Sequence, residues 1–493
     1  MAQRLGIHLF GVVTIAVAAI GCRADRFRDA DLLPLTEVSM QRLARSQATS
    51  QSTALHTSGE TLAQRHLLQG PHALQDYVHL ALTQNPDILA ARKRVEALAF
   101  RVPVARSLPD PALTTVAQPA PVQTAAGEFQ FILNANQKFP WFGKLDARAS
   151  LAEAEASVAR AELAAVELET VSKVKKTCYE LAYVQQAIMV TETERKLLEQ
   201  LQSVATSRYE TGQTTLQDVL RADLEIAALE NSLISLRQRK VAERAKLARL
   251  LHVAPDTELE PPDDLPDTQL PRDLESLRQQ AVAARPQLHA AMTRITKERR
   301  AVNLARLDYK PDVTLGFAWI DVADAGLAPS SNGQDAVLLT AGINLPIYRK
   351  RLDASVHSAE ASSVASARQY DSLKDATMEA VTELFAKAES HTQMLALFTD
   401  DILPKAEQTL EVSTQAYAVG DIDFLQLLDN WQQLLRYELG RERLKADLQQ
   451  TLADLEQVVG GWTTTKTRLA PEIEEVPLPP EPAAAEPLPP EPA

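Results

Sequence analysis

Apolar positions along this chain follow two periods, and the change from one to the other marks its elements. From Lys144 to Thr211 there is neither Gly nor Pro, a run about 100 Å long if helical throughout. Within it Val171, Val174, Cys178, Leu181, Val184 and Ile188 step by three and four, which places one apolar stripe along a helix, as a coiled-coil seam requires. Tyr209 to Gly212 should turn the chain and Gln213 to Ala254 return it. A second hairpin carries Phe424, Leu428, Trp431 and Leu435 on one stripe. Pro404 should break or kink its outgoing helix near Leu403, and Gly440 should interrupt the returning one.

Between the helical runs the period falls to two. Phe129, Phe131, Leu133, Ala135 and Phe139 alternate with Gln130, Ile132, Asn134, Asn136 and Lys138. Val313, Leu315, Phe317 and Trp319 alternate with Thr314, Gly316, Ala318 and Ile320, and Val337, Leu339, Ala341, Ile343 and Leu345 with smaller or polar partners. With a weaker segment near Ala112 to Gln118, strands are predicted at about 112–118, 128–139, 312–321 and 335–346. A tilted strand of about 9–11 residues can cross a bilayer, its polar alternate face turned to water. A half-buried strand in a soluble sheet shows the same alternation. If the strands span, four cannot close a barrel, and a dimer, trimer or tetramer would supply the rest.

The pattern occurs twice. Asn85-Pro86-Asp87 is matched by Arg285-Pro286-Gln287, Leu108-Pro109-Asp110 by Lys310-Pro311-Asp312, and Tyr209-Glu210-Thr211-Gly212 by Tyr417-Ala418-Val419-Gly420. Phe139-Pro140 followed by Gly143-Lys144-Leu145 is matched by Leu345-Pro346 followed by Arg349-Lys350-Arg351-Leu352. Matches that keep one order at a spacing of about 200 residues imply a duplicated unit of helix, two strands and long helical hairpin. The first repeat is placed at 73–253 with its hairpin at 144–253, a Pro/Asp-rich linker at 254–272, and the second repeat at 273–461 with its hairpin at 348–459.

The ends have other characters. Arg4 and the apolar stretch from Leu5 to Gly21 have the layout of an export signal, so 1–21 is read as a signal peptide. Ala19-Ile20-Gly21-Cys22 resembles a bacterial lipoprotein box, which would make Cys22 a diacylated new N-terminus, stably anchored by its two chains. Arg23 in the place of Asp favours the outer membrane by the same resemblance. Residues 22–72 read as a polar tether. At 462–493 lies a Pro/Glu-rich tail in which Pro477-Leu478-Pro479-Pro480-Glu481-Pro482-Ala483 recurs from Pro487 to Ala493. Cys178, on the apolar stripe, reads as a buried, inert thiol.

Composition narrows the function. The 65 acidic against 51 basic residues leave a net charge of -14, which argues against a nucleic-acid partner. Aromatic residues are 5% of the chain and Gly is scarce at 16, which favours long helices over sandwiches and doubly wound sheets. No His-Glu-x-x-His, Cys-x-x-Cys, Walker loop or Gly-x-Ser-x-Gly elbow is present, so neither an enzyme nor a bound cofactor or metal is expected. His72 and His79 are read as solvated, and Arg349-Lys350-Arg351 as a strand end at a membrane boundary.

The order and duplication of Asn85-Pro86, Phe139-Pro140...Gly143-Lys144, Tyr209...Gly212...Asp218-Val219-Leu220, Ile402-Leu403-Pro404-Lys405-Ala406-Glu407 and Tyr417...Gly420...Leu428-Asp429 resemble the TolC-type outer-membrane efflux protein family over about Ala73 to Gly461. The resemblance implies a mainly α protein with a small transmembrane β part. It implies a homotrimer whose twelve strands form one outer-membrane barrel, continued by a periplasmic α-helical tunnel. It implies partners too: a periplasmic adaptor, an inner-membrane transporter and outer-membrane lipid, in a tripartite efflux pump or a type I secretion system. By the same route Asp218, Tyr417 and Asp429 become candidates for the periplasmic gate, and Tyr209, Gly212 and Gly420 for hairpin-tip turns and adaptor docking. The chain departs from the family's pattern at Gln426, where an aspartate ring is lost, and at Ile422, where some members carry an arginine. Three Asp218 carboxylates at a constriction would attract cations; a solvated acid near a helix start is the plainer alternative. The segment from Phe139 to Leu145 is reminiscent of heavy-metal efflux members. A periplasmic adaptor would show one hairpin between β domains, and a coiled-coil spacer would conduct no ions.

Overall fold

The computed structural model describes residues 72–124, 126–262, 273–324 and 332–461. Cys22, the predicted signal, nearly all of the tether, part of the linker and the proline-rich tail lie outside the described residues. Helices α1 (Leu74–Gln84) and α2 (Pro86–Arg106) lead into strands β1 (Ala112–Thr124) and β2 (Gly127–Phe139), then the long helix α3 (Lys144–Glu210) and its return α4 (Leu216–Leu251). The same order follows in α5 (Leu274–Ala284), α6 (Pro286–Leu307), β3 (Val313–Ala323), β4 (Ala336–Ile343), α7 (Arg349–Leu397), α8 (Leu403–Val419) and α9 (Phe424–Val459).

Local chemistry sets several boundaries. Asn85 caps α2 by accepting from the Asp87 N–H at 2.9 Å, and Pro86 stands where a missing N–H is harmless. The Asn85 amide also donates to the Leu250 carbonyl at 2.9 Å, tying α2 to the end of the hairpin. At the matching Arg285, the guanidinium reaches the Thr377 hydroxyl at 2.6 Å instead. α3 runs 67 residues without interruption, about 100 Å.

Of the two expected breaks, one is found and one is corrected. The α-helix gives way just before Pro404, in a wide π-helical turn over Phe398–Ile402, and α8 begins at Leu403, where the missing N–H of proline costs little. Gly440 lies within an unbroken α9. A Cβ there would come within 3.3 Å of Phe398 Cε1, so this glycine leaves room for the aromatic ring of the π turn.

The core is a seam between hairpins. Val171, Val174, Cys178, Leu181, Val184 and Ile188 are all buried. Leu198, Leu201 and Ala205 of α3 and Ala222 and Leu229 of α4 pack with Leu403, Leu410 and Tyr417 of α8 and Phe424, Leu427, Leu428, Trp431 and Leu434 of α9. A charged tie crosses the seam: Glu180 accepts from Arg443 and Gln450, each at 2.8 Å, and from Arg239. Burial alone would raise the Glu180 pKa, but these donors outweigh it and hold the carboxyl below its ordinary value.

The strands form one antiparallel sheet in the order β1-β2-β3-β4. Its registers pair Leu113 with Ala135, Ala135 with Phe317 and Phe317 with Leu339. Because side chains alternate with period two, this row fixes one face: Leu113, Phe131, Leu133, Leu315, Phe317, Trp319, Val337, Leu339 and Ile343. Asn134, Asn136, Thr314, Gly316 and Thr340 occupy the other, together with Val116, Ile132, Ile320 and Leu338. Gly316 leaves room there for the Asn136 and Thr340 side-chain oxygens, which a Cβ would meet. β1 runs to Thr124 and carries Pro119 and Pro121, which an edge strand tolerates.

Candidate functional site

Two places combine unusual exposure with specific polar chemistry: the hairpin tips and the sheet with its junction to the helices.

At the tips the backbone is the same twice. Gly212 and Gly420 both adopt left-handed φ, +71° and +92°, which favours glycine. The Gln213 N–H donates to the Arg208 carbonyl and the Asp421 N–H to the Ala416 carbonyl, each at 2.9 Å, so both outgoing helices end in a Schellman-type turn. The side chains differ. Tyr417 is buried, its ring 5.5 Å from that of Phe424, whereas Tyr209 is exposed. Arg208 lies over the Tyr417 ring, 4.8 Å from its centroid, and donates to the Tyr417 carbonyl. The first tip thus grips the second with one guanidinium, which stacks and donates at once.

Asp218 is half-buried on the first turn of α4 and accepts from the Thr214 hydroxyl. Burial, and after it the nearby Asp218 charge, raise the Tyr417 phenol above its ordinary value. Asp218 and Tyr417 are therefore neighbours. Asp429 is not part of this group: it is exposed on α9 and accepts from Gln433 at 3.0 Å. Ile422 packs on the apolar seam, and Gln426 is exposed, its N–H bound at 2.8 Å by Asp423, the cap of α9. Sequence reasoning missed Arg208 and Thr214. A cation in the last turn of a helix usually answers the helix dipole, and nothing in the local pattern marks Arg208 as reaching another hairpin.

The sheet leaves a large apolar face exposed. Leu339 is 84% exposed, and Leu113, Leu315, Phe317, Val337 and Ile343 are exposed with it. Phe131 and Trp319 meet edge to face at 6.2 Å on the same side. Such a contiguous patch needs a partner or a membrane. Both outer strands are open, and unpaired edges are normally covered or paired. Among the described residues no helix is long and apolar enough to cross a membrane.

Where strands become helices, Lys144 and Asp312 are buried together with Nζ and Oδ1 2.7 Å apart. The Trp141 N–H donates to the same carboxylate at 3.1 Å, Lys138 approaches at 3.1 Å, and Lys144 also donates to the Lys310 carbonyl at 2.9 Å. Burial alone would raise the Asp312 pKa; these donors bring it down to about 2. Arg349, at the start of α7, stacks on Tyr309 at 5.6 Å. His72 meets Tyr77 edge to face at 5.9 Å and His79 is exposed. Among the described residues no cluster of His, Cys, Asp and Glu is placed to hold a metal ion.

A twice-repeated helix and strand-pair order, an exposed apolar sheet with open edges and paired helical hairpins together define the class of outer-membrane efflux proteins. The chain belongs to the outer membrane efflux protein family, whose model matches residues 77–252 and 277–461. It is 22% identical over 405 residues to the cobalt-zinc-cadmium resistance protein CzcC of Cupriavidus metallidurans, a match covering 79% of this chain and 90% of that one. It is also 22% identical to the pyoverdine export outer membrane protein OpmQ of Pseudomonas putida, covering 68% and 71%. Among solved structures, the outer-membrane channel OprN matches with a TM-score of 0.68 at 20% identity, covering 79% of this chain and 90% of that one. The outer membrane protein VceC of Vibrio cholerae matches with a TM-score of 0.66 at 22% identity, covering 80% and 99%.

Proposed function

We propose that this protein is the passive outer-membrane exit duct of a tripartite efflux pump. Three copies contribute four strands each to a twelve-stranded barrel, and their hairpins continue it as a helical tunnel in the periplasm of a Gram-negative-type bacterium. The observation that carries the reading is the sheet. Its more apolar face, with Leu113, Leu133, Phe317, Trp319 and Leu339, suits lipid. Asn134, Asn136, Thr314, Gly316 and Thr340, which share the opposite face with Val116, Ile132, Ile320 and Leu338, suit a watery lumen. Its two open edges cannot remain unpaired in a bilayer. Acylation of Cys22 would anchor the chain to the same membrane. Energy comes from an inner-membrane transporter, joined through a periplasmic adaptor that docks near the tips at Tyr209, Gly212 and Gly420.

The tips are the gate in this reading. Arg208 on Tyr417 holds the two hairpins of one copy together, while three copies of Asp218 bring like charges to the narrow end, where they attract cations and repel one another. Asp429 has a lesser part, facing solvent farther along α9. The test is reconstitution of the full acylated protein in planar bilayers. Cation-favouring conductance is expected, with trimers that dissociate on heating in denaturing gels. Folded material that neither conducts nor forms trimers would overturn the proposal in favour of an adaptor or spacer.

A further inference from the structure

The two repeats carry the same junction residues but leave them in different states. Asp312 precedes β3 and Lys144 follows β2; these strands are neighbours, so the two side chains meet and are buried, 2.7 Å apart. By the internal match of Lys310-Pro311-Asp312 with Leu108-Pro109-Asp110, the counterpart of Asp312 is Asp110, ahead of β1. By the match of Phe139-Pro140 and Lys144 with Leu345-Pro346 and Lys350, the counterpart of Lys144 is Lys350, beyond β4. Asp110 and Lys350 are both exposed, and among the described residues neither has an ion-pair partner. Within one chain they stand beside opposite edges of the sheet. They can meet only if β4 of one copy lies against β1 of another.

We propose that β4 of one copy pairs antiparallel with β1 of the next in the register Ile343↔Leu113, with Lys350 closing on Asp110 across the joint as Lys144 closes on Asp312 within the chain. This rests on the trimeric channel reading and gives that trimer its residue-level joint. The register follows from the observed pairing of Gln137 with Leu315, whose counterparts are Ile343 and Leu113; Gly342 then meets Thr114 and Leu339 meets Ala117.

Two independent constraints agree on it. A slip of one residue would turn one partner's apolar face to the other side, whereas Ile343↔Leu113 keeps Leu113, Leu339 and Ile343 on the face they already share. A slip of two preserves the faces but carries Lys350 away from Asp110. Charge complementarity and the unpaired backbone of both edges therefore fit the same occupant, a second copy of this chain.

The experiment uses the full chain in outer membranes. Leu113→Cys with Ile343→Cys is expected to give covalently linked copies on mild oxidation. Leu113→Cys with Ala341→Cys, or with Leu345→Cys, is expected to give markedly fewer. Cys178 is buried and its thiol is pushed up to about 12, so it does not compete. Asp110→Lys should lower the temperature at which the trimer dissociates, and adding Lys350→Asp should restore it, a rescue that a purely local role for either residue would not produce. Stronger linking in an offset pair, trimers with no linking in any pair, or failure of the charge swap to rescue would overturn the proposed joint while leaving the channel reading intact. Absence of trimers from folded wild-type protein would overturn the channel reading itself.

Discussion

The two hairpin tips share a backbone and divide its work. Position for position, Tyr209 corresponds to Tyr417 and Leu216 to Phe424, yet the first pair is 42% and 49% exposed and the second 3% and 1%. The first tip supplies Arg208; the second has Ala416 in that place and instead supplies the aromatic socket that receives it. The two turns are equal in backbone, and the difference lies in which one is buried. The second tip is the fixed member of the pair. The first packs Ala205 and Ala222 against it and adds the Arg208 guanidinium, while leaving Tyr209 and Leu216 exposed.

If so, equivalent truncations should have unequal costs. Phe424→Ala removes a ring from the four-helix seam and should destabilise the hairpins by about 3–5 kcal/mol, read as earlier urea unfolding. Leu216→Ala should stay within about 0.5 kcal/mol. Equal costs would erase the distinction between the tips.

Farther up the same seam, Glu194 on α3 offers a pH test. Burial, and then the neighbouring Glu438 carboxylate, raise it to about 7. A glutamate that titrates near 4.3 when unfolded thus binds its proton more tightly when folded. Its contribution is fully present below about pH 4 and is lost as pH rises through 7, a change on the order of 3–4 kcal/mol at 1.36 kcal/mol per unit. Glu194→Gln should flatten the fall in stability between pH 5 and 8 and raise stability at pH 8. Glu180, held low on the same helix by Arg443, Gln450 and Arg239, contributes in the opposite sense, its stabilisation being lost as pH falls through its lowered pKa, so Glu180→Gln should not reproduce that result.

Much of this architecture was legible because it is periodic. The stripe from Val171 to Ile188 is buried throughout, and the alternation in β2, β3 and β4 falls on one common face once the registers are known. What escaped is what joins distant segments. Lys144 and Asp312 both stood in matched motifs, but nothing local paired them across the repeats. Gly440 looked like a helix breaker, although its role is set by Phe398 packing against it. Pro404 was recognised as a boundary, but no local signal separates a kink from a π turn. At the candidate gate, Asp218 and Tyr417 were marked by motif, whereas Arg208 was hidden among many surface arginines.

Arg208 is the next lever on the comparison. Arg208→Ala removes both the stacking on Tyr417 and a charged hydrogen bond to its carbonyl, together about 1.5–3 kcal/mol. The hairpins should still fold, since the apolar seam is untouched, but conductance in planar bilayers should rise as the tips separate. Arg208→Lys keeps the charge and loses the planar stack, so an intermediate conductance is expected; wild-type conductance would show that the stack contributes nothing. Tyr417→Phe should behave as wild type in stability, because the ring, not the hydroxyl, fills the socket.

The smallest effect distinguishes the turns themselves. Gly212→Ala and Gly420→Ala both force a side chain into left-handed φ, costing about 1–2 kcal/mol each. They differ in what the new methyl meets: nothing lies within 4 Å at Gly212, whereas at Gly420 the Arg208 Nη2 is 3.2 Å away. Gly212→Ala should therefore destabilise its hairpin with little change in conductance. Gly420→Ala should add to a similar loss of stability a conductance increase resembling that of Arg208→Ala, and the increase should vanish when both substitutions are combined, because the arginine that the methyl displaces is already gone. Additive increases in the double variant would place the effect of Gly420 in the backbone alone.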